Sequence, residues 1–259
     1  GYKWELMPYA EIAQGHNSAI TDHKGRSFVV YHTRSTIGHE GHEVRVHQLF
    51  LNQDGWIMAA PYEFSGETIT NEDIASKASI PDSEIPGNYQ FMRHEYNQNT
   101  KNLAYETPVD IELTADGKIT GSATGTWTRT AGTDFISLTI GGVVYKGVLA
   151  RQTIDYSDIP ALCISACSSS SGSLTIGQKT FTYQQNIWCS KADYKAAIKY
   201  TLDKTTVPFY SGKTVTTAQT LPTKGYFGAK IVWSSSNESI MSADGKVTGN
   251  GDVTMTMSI

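Results

Sequence analysis

The stretch that decides the fold covers residues 15–61: GHNSAITDHKGRSFVVYHTR at 15–34, then HEVRVHQLFLNQDGWIMAAP at 42–61. It contains four short runs rich in Val, Ile, Thr, Tyr and Phe, at residues 16–21, 27–33, 43–51 and 57–60. Runs of this kind, bounded by Gly, Asp or Asn, suit a pleated, half-buried surface and read as strands. The turns between them carry DHKG, GHEG and NQDG. Gly supplies the positive φ of a tight turn and Asp bonds its own backbone there, which assigns Asp22 and Asp54 to turn duty beside Gly25 and Gly55. Four antiparallel strands joined in this way describe one blade of a β-propeller.

Outward from the blade the pattern stays all-β. Residues 1–69 form the blade block and residues 70–86 a polar connector compatible with a helix. Residues 87–191 hold a meander: NYQFMRHEY, PVDIELT, KITGSATGTWTRT, DFISLTI, VVYKGVLARQ, ALCISA and KTFTYQQNIWC. That count is close to an eight-stranded closed barrel, which leaves no exposed sheet edge. In KADYKAAIKYTL, Tyr194, Ile198 and Leu202 recur at helical spacing, so residues 192–204 read as a helical linker. Residues 205–259 carry a second, smaller and incomplete β pattern. The Ser-rich stretch SACSSSSGS reads as a flexible loop.

Composition bounds the partners. Of 259 residues, 21 are Lys or Arg and 25 Asp or Glu, a formal net charge of -4. No basic field is available to hold a phosphate backbone, so nucleic acid is not an expected partner. No run reaches the roughly 18 apolar residues of a membrane span, so neither is a membrane. The chain starts at Gly1 inside structured sequence, and we expect it to be a fragment or a processed product. The only His beyond residue 47 is His94, too few ligands for structural zinc beside Cys163, Cys167 and Cys189.

Several polar residues are candidates for chemistry, each with a structural alternative. His32 and Arg34 share a strand face with Phe28 and Val30, and Glu43, Arg45 and His47 share a face of the next strand. These sets either reach a substrate or tie blades together by charge-assisted bonds. Glu40 and Glu43 flank His42 as a solvated loop charge and an ion-pair partner. His16 is followed by Asn17, which alternation turns away from it, and Ser18, which shares its face. Trp56 follows a turn glycine and either packs the blade edge or stacks on sugar.

Four ordered words, Gly15-His16-Asn17-Ser18, Tyr31-His32-Thr33-Arg34, Val44-Arg45-Val46-His47-Gln48 and Asp54-Gly55-Trp56 leading to Ala60-Pro61-Tyr62, resemble the last blade of family 43 endo-arabinanases. The resemblance implies the final blade of a five-bladed propeller that cleaves α-1,5-linked arabinan with inversion. It also implies a bacterial extracellular or periplasmic setting. Inversion needs two carboxylates about 6.5–9.5 Å apart, and in the family these come from earlier blades, so no catalytic residue is assigned here. His16 matches the family histidine that ligates a metal ion, usually calcium completed by water. Arg45, His32 and Arg34 are its substrate-binding candidates, Arg45 foremost. The blade would need upstream blades or a second copy to cover its faces.

Two further resemblances follow downstream. Gly87-Asn88-Tyr89, DGKITGSATGTW, Tyr145-Lys146-Gly147-Val148 and Trp188-Cys189-Ser190-Lys191 resemble the lipocalin-like barrel of extracellular arabinanases. In that pattern Cys189 stands where a small residue is usual, which suggests a disulfide to Cys163 or Cys167. As a binding module the barrel would present Trp127 or Tyr145 to pentose rings; as a scaffold it would cap the propeller. Residues 231–237, 243–248 and 251–254 resemble an atrophied bacterial immunoglobulin-like domain with Trp233 as core anchor. If the chain does not act as part of an arabinanase, the other class of function is a non-catalytic carbohydrate-binding or scaffold unit.

Overall fold

The computed structural model describes residues 1–37, 41–94, 105–176 and 178–259. It divides into two compact units, Gly1–Asp193 and Tyr194–Ile259. The first opens with four strands, β1 (Glu11–Thr21), β2 (Ser27–Ser35), β3 (His42–Leu51) and β4 (Ile57–Ala59), paired antiparallel in that order. The blade-like sheet expected from residues 15–61 is therefore present. Strand β1 begins earlier than its apolar pattern suggests, because Glu11 is buried by a charged partner and not by apolar neighbours.

The two hairpin turns differ in chemistry. Asp22 Oδ1 accepts from the backbone N–H of Lys24 and of Arg26, each at 2.9 Å, as expected of a turn aspartate. In the second turn that task falls to Asn52, whose Oδ1 accepts from the N–H of Asp54 and of Trp56, each at 3.0 Å. Asp54 instead pairs with Lys146 at 2.8 Å. Trp56 is half exposed at the blade edge.

The connector holds one short helix, α1 (Asn71–Ser76), started by a capping box between Thr70 and Asp73. A 3₁₀ turn at Asp82–Glu84 follows. Beyond it lie β5 (Gly87–Arg93), β6 (Val109–Leu113), β7 (Lys118–Gly121), β8 (Gly125–Arg129), β9 (Phe135–Ile140), β10 (Val143–Thr153) and β11 (Pro160–Ser168). Then come β12 (Gly172–Ile176), β13 (Lys179–Tyr183) and β14 (Asn186–Ala192). Eight of these strands close a barrel in the order β10-β11-β14-β5-β6-β7-β8-β9, while β12 and β13 pair only with each other.

Two expected strands are each split in the structure. KITGSATGTWTRT becomes β7 and β8, broken at Gly121, whose φ is +96° and where a Cβ would lie 2.9 Å from the Asp110 carbonyl oxygen. Only glycine fits that bend. KTFTYQQNIWC becomes β13 and β14, and only β14 joins the barrel. The first residues of SACSSSSGS are not loop: Ser165 to Ser168 complete β11 and are buried.

The barrel interior is filled. Tyr89, Leu113, Leu138, Tyr145 and Leu149 pack there, and Ile80 and Ile85 of the connector join the same core from one end. Burying side chains of this size contributes about 1.5–3 kcal/mol each. Opposite residues on β10 and β11 face outward, and Val148, Ala150 and Cys167 receive Phe50, Met58 and Ala60 of the blade. Blade and barrel thus share a core, which explains why they form one unit despite their separate strand patterns.

The three cysteines are unbridged and buried, so the disulfide suggested for Cys189 is corrected. The register pairs Ile164 with Cys189 and Cys163 with Ser190. Cys189 belongs to the barrel interior with Ile164, whereas Cys163 and Cys167 lie on the alternate positions of β11, which face the other way. Cβ vectors that point apart cannot be bridged.

The second unit begins with α2 (Tyr194–Lys204) and contains β15 (Val232–Ser235) paired with β16 (Met255–Ser258). Its core is Leu221, Ile231 and Trp233, with Phe209, Met255 and Met257 against them. Trp233 donates its indole N–H to the Pro222 carbonyl at 2.8 Å. Helix α2 is no bare linker: Tyr200 meets Tyr226 edge to face at 5.0 Å, and Thr201 Oγ1 accepts from the Tyr226 N–H at 3.1 Å.

Candidate functional site

The blade offers two chemically different faces. Cross-strand pairs place His32 opposite Val44 and Arg34 opposite His42, whereas Tyr31 pairs with Arg45 and Val29 with His47. Alternation therefore separates three of the candidates: His32 and Arg34 on one face, Arg45 on the other.

His16 reaches the His32 face only because β1 is irregular. Gly15 is the register partner of His32, and unbroken alternation would send His16 to the opposite side. One extra residue between Gly15 and Ser18 corrects this, with His16 itself at a φ of +50°. A non-glycine residue in that region is held there by its surroundings at a cost of about 1–3 kcal/mol. The ring of His16 then lies 5.8 Å from that of His32, edge to face, and His32 lies 4.7 Å from His42. Arg34 Nε donates to His42 Nε2 at 3.0 Å, which leaves the proton of a neutral His42 on Nδ1. Partial desolvation, then the neighbouring His42, His16 and Arg34, hold the His32 imidazole below its ordinary pKa. The result is a row of three imidazoles and a guanidinium across three strands. Glu40 lies outside the described residues.

The other face is structural. Arg45 is only 9% exposed. Its Nε lies 2.6 Å from Glu11 and 3.1 Å from Glu63, and a terminal nitrogen contacts Glu43. Burial opposes the charge on Arg45, but these carboxylates more than offset it and its pKa is raised. Tyr9 donates to both oxygens of Glu43, and Tyr2 to Glu11 at 3.1 Å. Nearby, burial pushes Asp155 up to about 7, although it accepts a hydrogen bond from the Glu63 N–H at 3.0 Å. Arg45, expected to lead the substrate-binding set, has donors committed to carboxylates of its own chain. The tie it makes is within the blade and its flanks.

His47, on the same strand as His42 but on its opposite face, is buried. It donates from Nδ1 to the Ala60 carbonyl at 2.8 Å and accepts at Nε2 from Tyr31 at 3.1 Å. Burial lowers its pKa to about 4, with Arg45 adding to the effect. It stacks beside Trp188 at 6.1 Å. Trp188 donates to the Ala59 carbonyl at 2.8 Å, and Ser190, two residues on, accepts from Tyr62 at 2.8 Å. These residues bond the barrel to the blade, a role that sequence reasoning missed. The signal was the Trp188-Cys189-Ser190 alternation, whose outer members carry polar hydrogens. A cavity of about 390 Å³ lies beside them, with Asn17, Tyr31, His47 and Trp188 in its wall.

Among the described residues, no three His, Cys, Asp or Glu side chains converge in a geometry that would hold a metal ion. His16 fits the contribution of a single imidazole ligand and no more. Among the same residues, no helix is long and apolar enough to cross a membrane.

Residues 61–177 match the C-terminal lipocalin-like domain GH43_C, and residues 195–259 match the atrophied bacterial Ig domain. Over these two segments the chain is similar to accessory domains, and in structure it is similar to a family 43 glycoside hydrolase. It is 38% identical over 151 residues to an extracellular endo-α-(1→5)-L-arabinanase of Thermotoga petrophila, a match that covers 57% of this chain and 30% of that protein. Over 142 residues it is 39% identical to extracellular endo-α-(1→5)-L-arabinanase 2 of Bacillus subtilis, covering 54% of this chain and 28% of the relative. A crystal structure of a family 43 glycoside hydrolase from Bacillus licheniformis superposes with a TM-score of 0.58 at 31% identity, covering 73% of this chain and 37% of that one. The chain thus spans about 30% of the length of the curated relatives it matches.

Proposed function

We propose that this chain is the C-terminal portion of an inverting, extracellular or periplasmic glycoside hydrolase that cleaves α-1,5-L-arabinofuranosyl linkages in arabinan, with its catalytic acids outside these 259 residues. The observation that carries the reading is the engagement of the blade's acids. Glu11, Glu43 and Glu63 converge on Arg45, Asp22 is bound to Arg26, and Asp54 to Lys146. An inverting pair needs one protonated and one ionised carboxyl group on opposite sides of a sugar, and carboxylates gathered on one guanidinium do not provide that. Two endo-arabinanase relatives support the choice of substrate.

In this reading the row of His16, His32 and Arg34 faces the substrate side, with His32 and Arg34 as donors to sugar hydroxyls. His16 supplies one imidazole to a calcium ion whose other ligands are water. Calcium takes six to eight oxygen ligands, so water must complete the set. The ion would supply positive charge that keeps nearby acids ionised. Further blades of the propeller, or a second copy, cover the exposed Ile20, Val44 and Ile57.

The test is direct. Incubated with linear arabinan, the 259-residue chain is expected to release no reducing ends, and arabino-oligosaccharides from this chain alone would overturn the placement of the acids. A second reading, a non-catalytic scaffold or carbohydrate-binding unit, draws support from the filled barrel that shares a core with the blade.

A further inference from the structure

The barrel interior is closed to ligand, but its plugged end is not flat. Tyr145 is 0% exposed inside the core, so it presents no ring to a sugar. Trp127 differs. It pairs with Leu138 on the inward-facing side of β8, yet it sits towards the rim and packs on the core only in part. Its indole N–H donates to the Thr114 carbonyl at 3.0 Å and its backbone N–H to Gly117 at 2.8 Å. The ring is therefore fixed by the hairpin between β6 and β7.

A groove of about 800 Å³ runs between this ring and the 3₁₀ turn of the connector, lined by Asp82, Ser83, Pro86, Ala115, Trp127 and Arg129. That volume lies within the range of small-molecule sites, which favour the mouths of β-barrels. Arg129 is 8% exposed at its side chain and rigidly held: it bonds Asp134 at 2.5 Å and the Thr133 carbonyl at 2.7 Å. From that anchor it grips Asp82 Oδ1 at 2.6 Å, while the Asp82 side chain stays 86% exposed. A carboxylate presented in this way is a fixed acceptor at the edge of an aromatic platform.

We propose that this groove is a non-catalytic binding site for neutral sugar rings of a polysaccharide chain. The apolar C–H face of a sugar packs on the Trp127 indole, and adjacent hydroxyls donate to Asp82 and exchange hydrogen bonds with Ser83. A lipid tail is disfavoured because Ile80 and Ile85 fill the barrel end behind the groove. An anionic ligand meets the Asp82 carboxylate, and a cation finds that carboxylate already paired. The choice of arabinan as the chain that supplies the rings rests on the functional reading above; the groove itself does not.

The test titrates the whole 259-residue chain with linear α-1,5-arabino-oligosaccharides, and separately with xylo-oligosaccharides, by calorimetry. Trp127→Ala and Asp82→Ala are compared with the parent chain, with thermal unfolding recorded for both. The expected result is saturable arabino-oligosaccharide binding, weakened about tenfold or more in Trp127→Ala and several-fold in Asp82→Ala. Asp82 is exposed enough that its variant folds even if Trp127→Ala does not. Binding that is unchanged in Asp82→Ala and in any folded Trp127→Ala, or no binding to either sugar, would overturn the groove. Binding of xylo-oligosaccharides alone, with the same sensitivity to the two substitutions, would uphold the groove and count against arabinan.

Discussion

The two faces of the blade are built from the same strands, with side chains one residue apart, yet they are committed in opposite ways. On one face Arg45 and Glu11 are buried and paired, and His47 is fixed by Tyr31 and the Ala60 carbonyl. On the other, His16, His32 and Arg34 line up beside Val44, which is 66% exposed. Polar character alone therefore says little about function. What separates the faces is burial. The barrel and the N-terminal segment cover the Arg45 face, whereas Val44 stays exposed on the other.

Breaking the buried side should cost most. Arg45→Ala leaves Glu11, which is 2% exposed, without its cation, and is expected to destabilise the first unit by about 3–5 kcal/mol. Urea unfolding measures this, and a loss below about 1 kcal/mol would mean that the cluster is not the tie described. Next is Trp188→Ala, which removes the ring between blade and barrel together with its bond to the Ala59 carbonyl. A loss of about 3–5 kcal/mol is expected in the same measurement.

The pH dependence sharpens the contrast. His47 has its pKa lowered to about 4 from an ordinary value near 6.5. The unfolded chain thus binds a proton more readily than the folded one. Its contribution is fully present above about pH 6.5 and is lost as pH falls towards 4, amounting to roughly 3 kcal/mol. Denaturant midpoints across that window should show the acid limb, and His47→Gln should flatten it. The smallest stability effects belong to the open face. His32→Ala and Arg34→Ala should change stability by less than about 0.5 kcal/mol, and, under the proposed function, should lower arabinan turnover once the remaining blades are present. Equal losses of stability from the two faces would erase the distinction.

Much of this was legible beforehand in particular residues. The turn words at Gly25 and Gly55 bounded the strands of the blade, and β-branched alternation marked them. The split of KITGSATGTWTRT was hidden because it depends on a contact between Gly121 and the Asp110 carbonyl across the sheet. The His16–His32 contact was hidden because a bulge reverses the face that alternation assigns. Arg45 read as a substrate donor because its partner Glu11 lies 34 residues away, outside any local pattern.

The sequence by itself determined the all-β class, the blade and barrel and the slightly acidic charge balance, since these rest on periodicity, turn chemistry and composition. Only the tertiary structure decided which polar groups are spent on holding the protein together, that Cys189 faces away from Cys163 and Cys167, and that Trp127 rather than Tyr145 borders a groove. Those outcomes depend on burial and on long-range partners, and both are properties of the packed chain.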